Sequence, residues 1–302
     1  MLLSHRDASL VAVVCCALLM GCGPVDSTEE PLALDQHLDE QQADNGLSLN
    51  GLSLNGLSLN GLSLNGLSTD SFKSWFQGSP ALSSSVMRYL VHCALPAGES
   101  LSFTDPVTGQ RYMWSGGLGV APDWASGRPA TLVEQQLVSA CLAAHVNKYG
   151  LQIPLSVLGR NAKGQLIPFT LSELKTFSHR EACFFGNLFT GEGVHVGNDR
   201  GMLNARQSSA RECTLSSSTD ESRVTGCAPL VYVGSCSSFC TLDVTKTAYT
   251  SCRFNGVTYR PLTTRLREED IYSCGDGTCQ MTERCGTSST AASCQADCGA
   301  CP

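Results

Sequence analysis

Leu137-Val138-Ser139-Ala140-Cys141-Leu142-Ala143-Ala144-His145-Val146 decides how this chain is read. Leu137, Cys141, Leu142 and Val146 recur at near-helical spacing, so within a helix expected from Thr131 to Tyr149 they turn inward, and Gly150 supplies its C-terminal stop. Upstream, Ser79-Pro80 opens another helix with Val86, Leu90 and Cys93 on neighbouring faces, ended by Pro96 and Gly98. Two cysteines on apolar helix faces suit one another, and a Cys93–Cys141 bridge is expected; the alternative is that each pairs elsewhere.

Around these helices lie short extended runs. Leu101 to Phe103 and Arg111 to Trp114 flank Asp105-Pro106-Val107-Thr108-Gly109, which reads as a hairpin loop. Ile153 to Leu158 alternates like a strand, and Thr170-Leu171-Ser172-Glu173 is a capping box expected to start a third helix running towards Phe185. Beyond Gly186 the pattern dissolves: from Thr190 to Thr225 the chain is rich in Gly, Ser, Asn and Arg, with Cys213 its anchor. Strands return at Leu230 to Val233, and Asn255-Gly256 favours a type I′ turn between Cys252-Arg253-Phe254 and Val257-Thr258-Tyr259. Helices first and small strands later give an α+β domain over residues 71–272. Phe72, Trp75 and Phe76, which open it, read as core rather than as a binding patch.

The chain has 302 residues, a net charge of −7 and 17 cysteines. Its Lys and Arg residues are scattered singly, which leaves no basic footprint for nucleic acid. The apolar run Val11 to Met20 is well short of the roughly 20 residues that span a bilayer. It fits a secretory h-region, and Leu19-Met20-Gly21-Cys22 resembles the lipobox of bacterial lipoproteins, which makes residues 1–21 a cleaved leader and Cys22 the lipidated N-terminus. An ordinary secretory signal with incidental Cys15, Cys16 and Cys22 is the alternative. Gly23, not an acidic residue, follows Cys22, which directs the expectation to the outer membrane or cell surface. Setting aside Cys15, Cys16 and Cys22 leaves 17 − 3 = 14 cysteines, an even number that in an oxidising space reads as disulfides. Eight of them fall in the domain: Cys93, Cys141, Cys183, Cys213, Cys227, Cys236, Cys240 and Cys252.

Residues 22–70 read as a tether. Residues 23–44 are acidic and polar, a composition that buries too little to order itself. The repeat Asn-Gly-Leu-Ser-Leu then starts at Asn45, Asn50, Asn55 and Asn60, with an imperfect copy from Asn65 to Thr69. A period of five drifts around a helix and flips faces along a strand, so a small solenoid or a flexible stalk remains. As a coil, Gly23 to Asp70 would hold the domain on the order of 40 Å from the lipid.

Residues 273–302 form a separate module with Cys274, Cys279, Cys285, Cys294, Cys298 and Cys301 and little apolar content, so its bridges must hold it. Fifteen pairings are open. Asp276, Glu283 and Asp297 offer oxygen ligands for calcium, though the spacing is not that of an EF-hand and a charged surface explains them equally well. Zinc is disfavoured, because cysteines without histidine in an oxidising space pair with one another.

Arg88-Tyr89-Leu90-Val91-His92-Cys93-Ala94-Leu95-Pro96, the Val138-to-Asn147 stretch and Phe184-Phe185-Gly186-Asn187-Leu188-Phe189 together resemble uncharacterised myxobacterial secreted proteins, many with Asn-Gly-Leu-Ser repeats. The resemblance spans about residues 45–272 and implies a lineage and a surface location. It brings no reaction, so no catalytic residue carries over.

No Gly-x-Ser-x-Gly, His-Glu-x-x-His or Gly-Lys-Ser/Thr signature occurs. The one nucleophile weighed is Cys183, with His195 or His179 as base and Asn198 as orienter; the even cysteine count competes for it. His92 and His145, on expected helices, read as structural. The chain is therefore read as a lipid-anchored surface protein that binds envelope or matrix components or has a structural role there. A secreted hydrolase acting on envelope polymers is the alternative.

Overall fold

The computed structural model describes residues 42–45, 67, 69–147, 152–199, 207–209, 211, 230–280, 283–287 and 293–302. The leader with Cys22, the repeat over 46–66, and Cys213 and Cys227 lie outside them. Described here are strand β1 (Gln42–Asn45), helices α1 (Asp70–Gly78) and α2 (Pro80–Ala94), the hairpin β2 (Ser100–Thr104) and β3 (Arg111–Ser115), and helices α3 (Pro122–Ala125) and α4 (Leu132–Ala144). Then come β4 (Ile153–Gly159), α5 (Leu171–Thr176), β5 (His179–Asn187), β6 (Gly193–Asn198), β7 (Gln207–Ser209) and β8 (Leu230–Ser235). The chain ends through β9 (Cys240–Leu242), β10 (Tyr249–Phe254), β11 (Val257–Tyr259), β12 (Leu262–Leu266), β13 (Ile271–Ser273) and α6 (Gln295–Cys298).

Three layers result. The central sheet has six strands in the order β1-β4-β12-β5-β6-β8. All its pairings are antiparallel except β6 with β8. One face packs Leu155, Val157, Phe184, Val194, Val196 and Leu262 against α2 and α4 in a single apolar cluster. The other face carries Cys183 and Phe185 into a second cluster with Tyr249, Cys252 and Tyr259, contributed by the three-stranded sheet β11-β10-β9. A strand covered on both faces needs apolar side chains at successive positions, and β5 is buried from Glu181 to Asn187.

Helix α4 is buried on nearly every side, from Gln136 to Ala144, because it lies between α2 and the sheet. Its start is fixed by a capping box of Thr131 and Glu134. Glu134 does more than cap: its Oε1 also accepts the backbone N–H of Asp123 at 2.6 Å, which ties the first turn of α3 to that of α4. The Cys93–Cys141 bridge then clips α2 to α4 with 5.9 Å between Cα atoms. Phe72 and Phe76 sit in the core with Phe103, Tyr112 and Trp114 as ring neighbours.

Three expectations are corrected. The helix begun by the Thr170 capping box stops at Thr176 and does not run to Phe185; residues 179–187 are strand because two layers cover them. The helix of the opening stretch ends at Ala144, with His145 as its cap. The stretch beyond Gly186, where the sequence pattern dissolves, contains β6, an inner strand whose glycines and polar residues hide its alternation.

Candidate functional site

Between the two sheets lies one of the clusters of reactive side chains among the described residues. Cys183 on β5 is bonded to Cys236 in the 3-10 turn after β8, and Cys240 on β9 is bonded to Cys252 on β10. The two bridges touch: Cys240 Sγ lies 3.6 Å from Cys183 Sγ. Gly197 faces Cys183 across the β5–β6 register, and a Cβ there would meet Cys183 Sγ at 3.0 Å and Cys236 Sγ at 3.1 Å. The missing side chain is what makes room for the sulfurs.

Next along the same face is His195, paired in register with Phe185. Its ring is walled by Phe254 at 4.5 Å, Phe185 at 5.4 Å and Tyr259 at 6.4 Å between centroids. Desolvation holds the imidazole below its usual range despite the opposing pull of Glu192, and Nδ1 is buried without a hydrogen-bond partner. Tyr259 donates to Glu192 Oε2 at 3.0 Å, and burial together with that carboxylate pushes its hydroxyl up to about 12. His195 is thus a neutral, aromatic-walled imidazole.

The cysteine-nucleophile arrangement is not assembled. Cys183 Sγ is consumed in a disulfide. Asn198 pairs with Ala182, one residue out of phase with His195, so strand alternation puts it on the opposite face. His179 sits at the far end of β5, paired with Leu266.

On the helical side, His145 is fully buried beside the Cys93–Cys141 bridge. Its Nδ1 lies 2.7 Å from the Cys141 carbonyl oxygen; a carbonyl only accepts, so Nδ1 carries the proton. Burial above all, then the neighbouring His92, depresses its pKa to about 3. The His92 ring, 5.6 Å away, backs onto Gly117, where any Cβ would collide with it. This pair packs the α2–α4 contact and faces disulfide sulfurs, not thiolates.

In the C-terminal module the bridges are Cys274–Cys294, Cys279–Cys298 and Cys285–Cys301. Asp297 accepts the backbone N–H groups of Gly275 at 2.7 Å and Gly277 at 3.0 Å. Asp276 accepts the backbone N–H of Thr278 at 2.8 Å and the side-chain Nε2–H of Gln280 at 2.7 Å. Glu283 is buried: one oxygen takes the Gln280 N–H at 3.1 Å and the other, Oε1, has no partner. Burial, and then the charges of Asp297 and Asp276, raise its carboxyl pKa. Asp276 and Asp297 are thus already engaged by the loop, and Glu283 Oε1 is the oxygen still lacking a donor.

Sequence reasoning missed the contact between the two bridges, since spacing carries no signal for pairs 53 and 12 residues apart. It also missed Glu181 and Arg211, a charged pair buried between α4 and the sheet. No family model, curated protein or solved structure matches the chain.

Proposed function

We propose that this is an exported surface protein, lipid-anchored at Cys22, whose disulfide-stapled domain and C-terminal module bind or brace other components of the envelope or extracellular matrix. The observation carrying this reading is that the twelve described cysteines are paired in six bridges, a density that belongs to exported proteins rather than to compartments that keep thiols reduced. The engagement of Cys183 in a bridge favours binding over cysteine-dependent hydrolysis. Calcium at Asp276, Glu283 and Asp297 is part of the proposal, and the unpartnered Glu283 Oε1 supports it.

Metabolic labelling with a fatty-acid probe tests the anchor. Cys22→Ala is expected to abolish the label and move the protein out of the membrane fraction; retained label with unchanged partitioning overturns it. Pull-down from envelope extract with the domain and module tests the rest: specific, saturable capture of an envelope component supports binding, and none leaves a purely structural role.

A further inference from the structure

We infer that the two bridges between the sheets are one exchange unit: opening Cys240–Cys252 lets Cys240 displace Cys236 from Cys183. Thiol–disulfide exchange requires a thiolate in reach of a disulfide sulfur and a second sulfur able to leave. Both are in place. The sulfurs of Cys183, Cys240 and Cys252 all lie within 4.8 Å of one another, and Cys240 Sγ is in contact with Cys183 Sγ at 3.6 Å. Cys240 is also the partly exposed member of the four, whereas Cys183, Cys236 and Cys252 are fully buried. An external reductant therefore meets the β9–β10 bridge first.

The chemistry balances in two steps. An external dithiol gives up two electrons and two protons, is itself oxidised to a disulfide, and leaves Cys240 and Cys252 as thiols. Cys240 then loses its proton and attacks Cys183 Sγ; the Cys183–Cys236 bond breaks, and its electron pair leaves on Cys236, which is protonated. The second step involves no net redox change. Its product has a Cys183–Cys240 bridge with Cys236 and Cys252 free.

The cross-link thereby moves. In the starting state β5 is stapled to the turn that follows β8, the edge strand of the central sheet. After exchange β5 is stapled to β9, and the turn after β8 is released. The state of a partly exposed bridge is converted into the tethering of a sheet edge.

A Cys252→Ser variant tests this with one thiol among the described cysteines, initially at Cys240. The oxidised variant is acid-quenched, alkylated after denaturation and mapped by mass spectrometry. The expected result is label on both Cys240 and Cys236, with roughly a tenth or more of it on Cys236 in molecules carrying a Cys183–Cys240 bridge. Label confined to Cys240 overturns the proposal. Should that variant fail to fold, wild-type protein given limiting dithiothreitol decides the matter. A two-thiol species with Cys236 and Cys252 free supports the exchange, and one with only Cys240 and Cys252 free overturns it.

Discussion

Arg211 donates from Nη1 to Glu181 Oε2 at 2.8 Å, with the two side chains 1% and 0% exposed. The Thr264 hydroxyl donates to the same carboxylate oxygen at 2.7 Å, and Arg211 Nη2 reaches the carbonyl oxygens of Ala144 at 2.5 Å and Val146 at 3.3 Å. The pair thus joins the end of α4 to the central sheet. Buried charges are tolerated only when their partners are complete, and removing one partner costs more than the pair contributes. Arg211→Met is expected to destabilise the domain by about 3–5 kcal/mol, read as a lowered midpoint in urea unfolding under non-reducing conditions. Glu181→Gln combined with Arg211→Met should recover part of that loss.

Stability should fall on mild acidification. His145 has its folded pKa depressed to about 3, against about 6.5 in an unfolded chain, so between these values the unfolded state binds the proton and the folded state does not. The contribution is whole above about pH 6.5 and declines as pH drops, by about 2 kcal/mol at pH 5. His92, Arg211 and Arg88 face the ring and add to the depression; His195 shifts in the same direction. Urea midpoints measured from pH 8 to pH 4 should show this slope, and His145→Gln should flatten it whatever its effect on the absolute midpoint.

Glu134 serves three backbone donors, those of Asp123, Trp124 and Thr131. Glu134→Ala strands them, the Trp124 donor in a buried place and the other two in part-buried ones, and removes half of a capping box, which together should cost about 2–4 kcal/mol. Glu134→Gln keeps acceptor capacity at one oxygen and should lose clearly less, as thermal melts of the two variants would show.

Gly197→Ala would place a methyl against sulfurs held by covalent bonds, which cannot swing aside as a flexible side-chain end could. A loss of about 1–3 kcal/mol is expected from overpacking. The same substitution at Gly164, where nothing lies within 4 Å of a Cβ but φ is +82°, should cost only the backbone strain. Comparing their melting temperatures separates crowding from conformation.

Much of the helical half can be read from sequence. Cys141 and Cys93 stand on apolar helix faces, Thr131 and Thr170 start their helices with capping boxes, and Asn255 and Gly256 take the positive φ values, 48° and 81°, of the expected tight turn. The central sheet is harder to see. Residues 179–187 carry no period because both faces are covered, and Gly193-Val194-His195-Val196-Gly197-Asn198 looks like loop until the sulfurs that fill the place of Gly197's side chain are known. Arg211 sits in a stretch of polar composition, and its burial is explained by partners distant in sequence, the carboxylate of Glu181 and the carbonyl oxygens of Ala144 and Val146.

Calcium binding at the module should appear as a rise in melting temperature of the oxidised protein between EDTA and millimolar calcium, since a ligand that binds only the folded form stabilises it. Glu283→Gln and Asp276→Asn should remove the rise. An unchanged melting curve in the wild-type protein would withdraw calcium from the proposal.

Strand β1 alters the reach of the proposed anchor. Gln42 to Asn45 pair with Ser156 back to Ile153 along the edge of β4, and Leu67 is buried in the main core, so the repeat between them begins and ends on the domain. If lipid sits on Cys22, the leash is Gly23 to Gln41, or 41 − 22 = 19 residues, with a taut length of about 65 Å. Gly23 to Asp70, 70 − 22 = 48 residues, would have allowed about 160 Å. The radius this protein can patrol around its attachment point is thus set by the acidic segment alone, and lengthening or trimming the repeat would leave that radius unchanged.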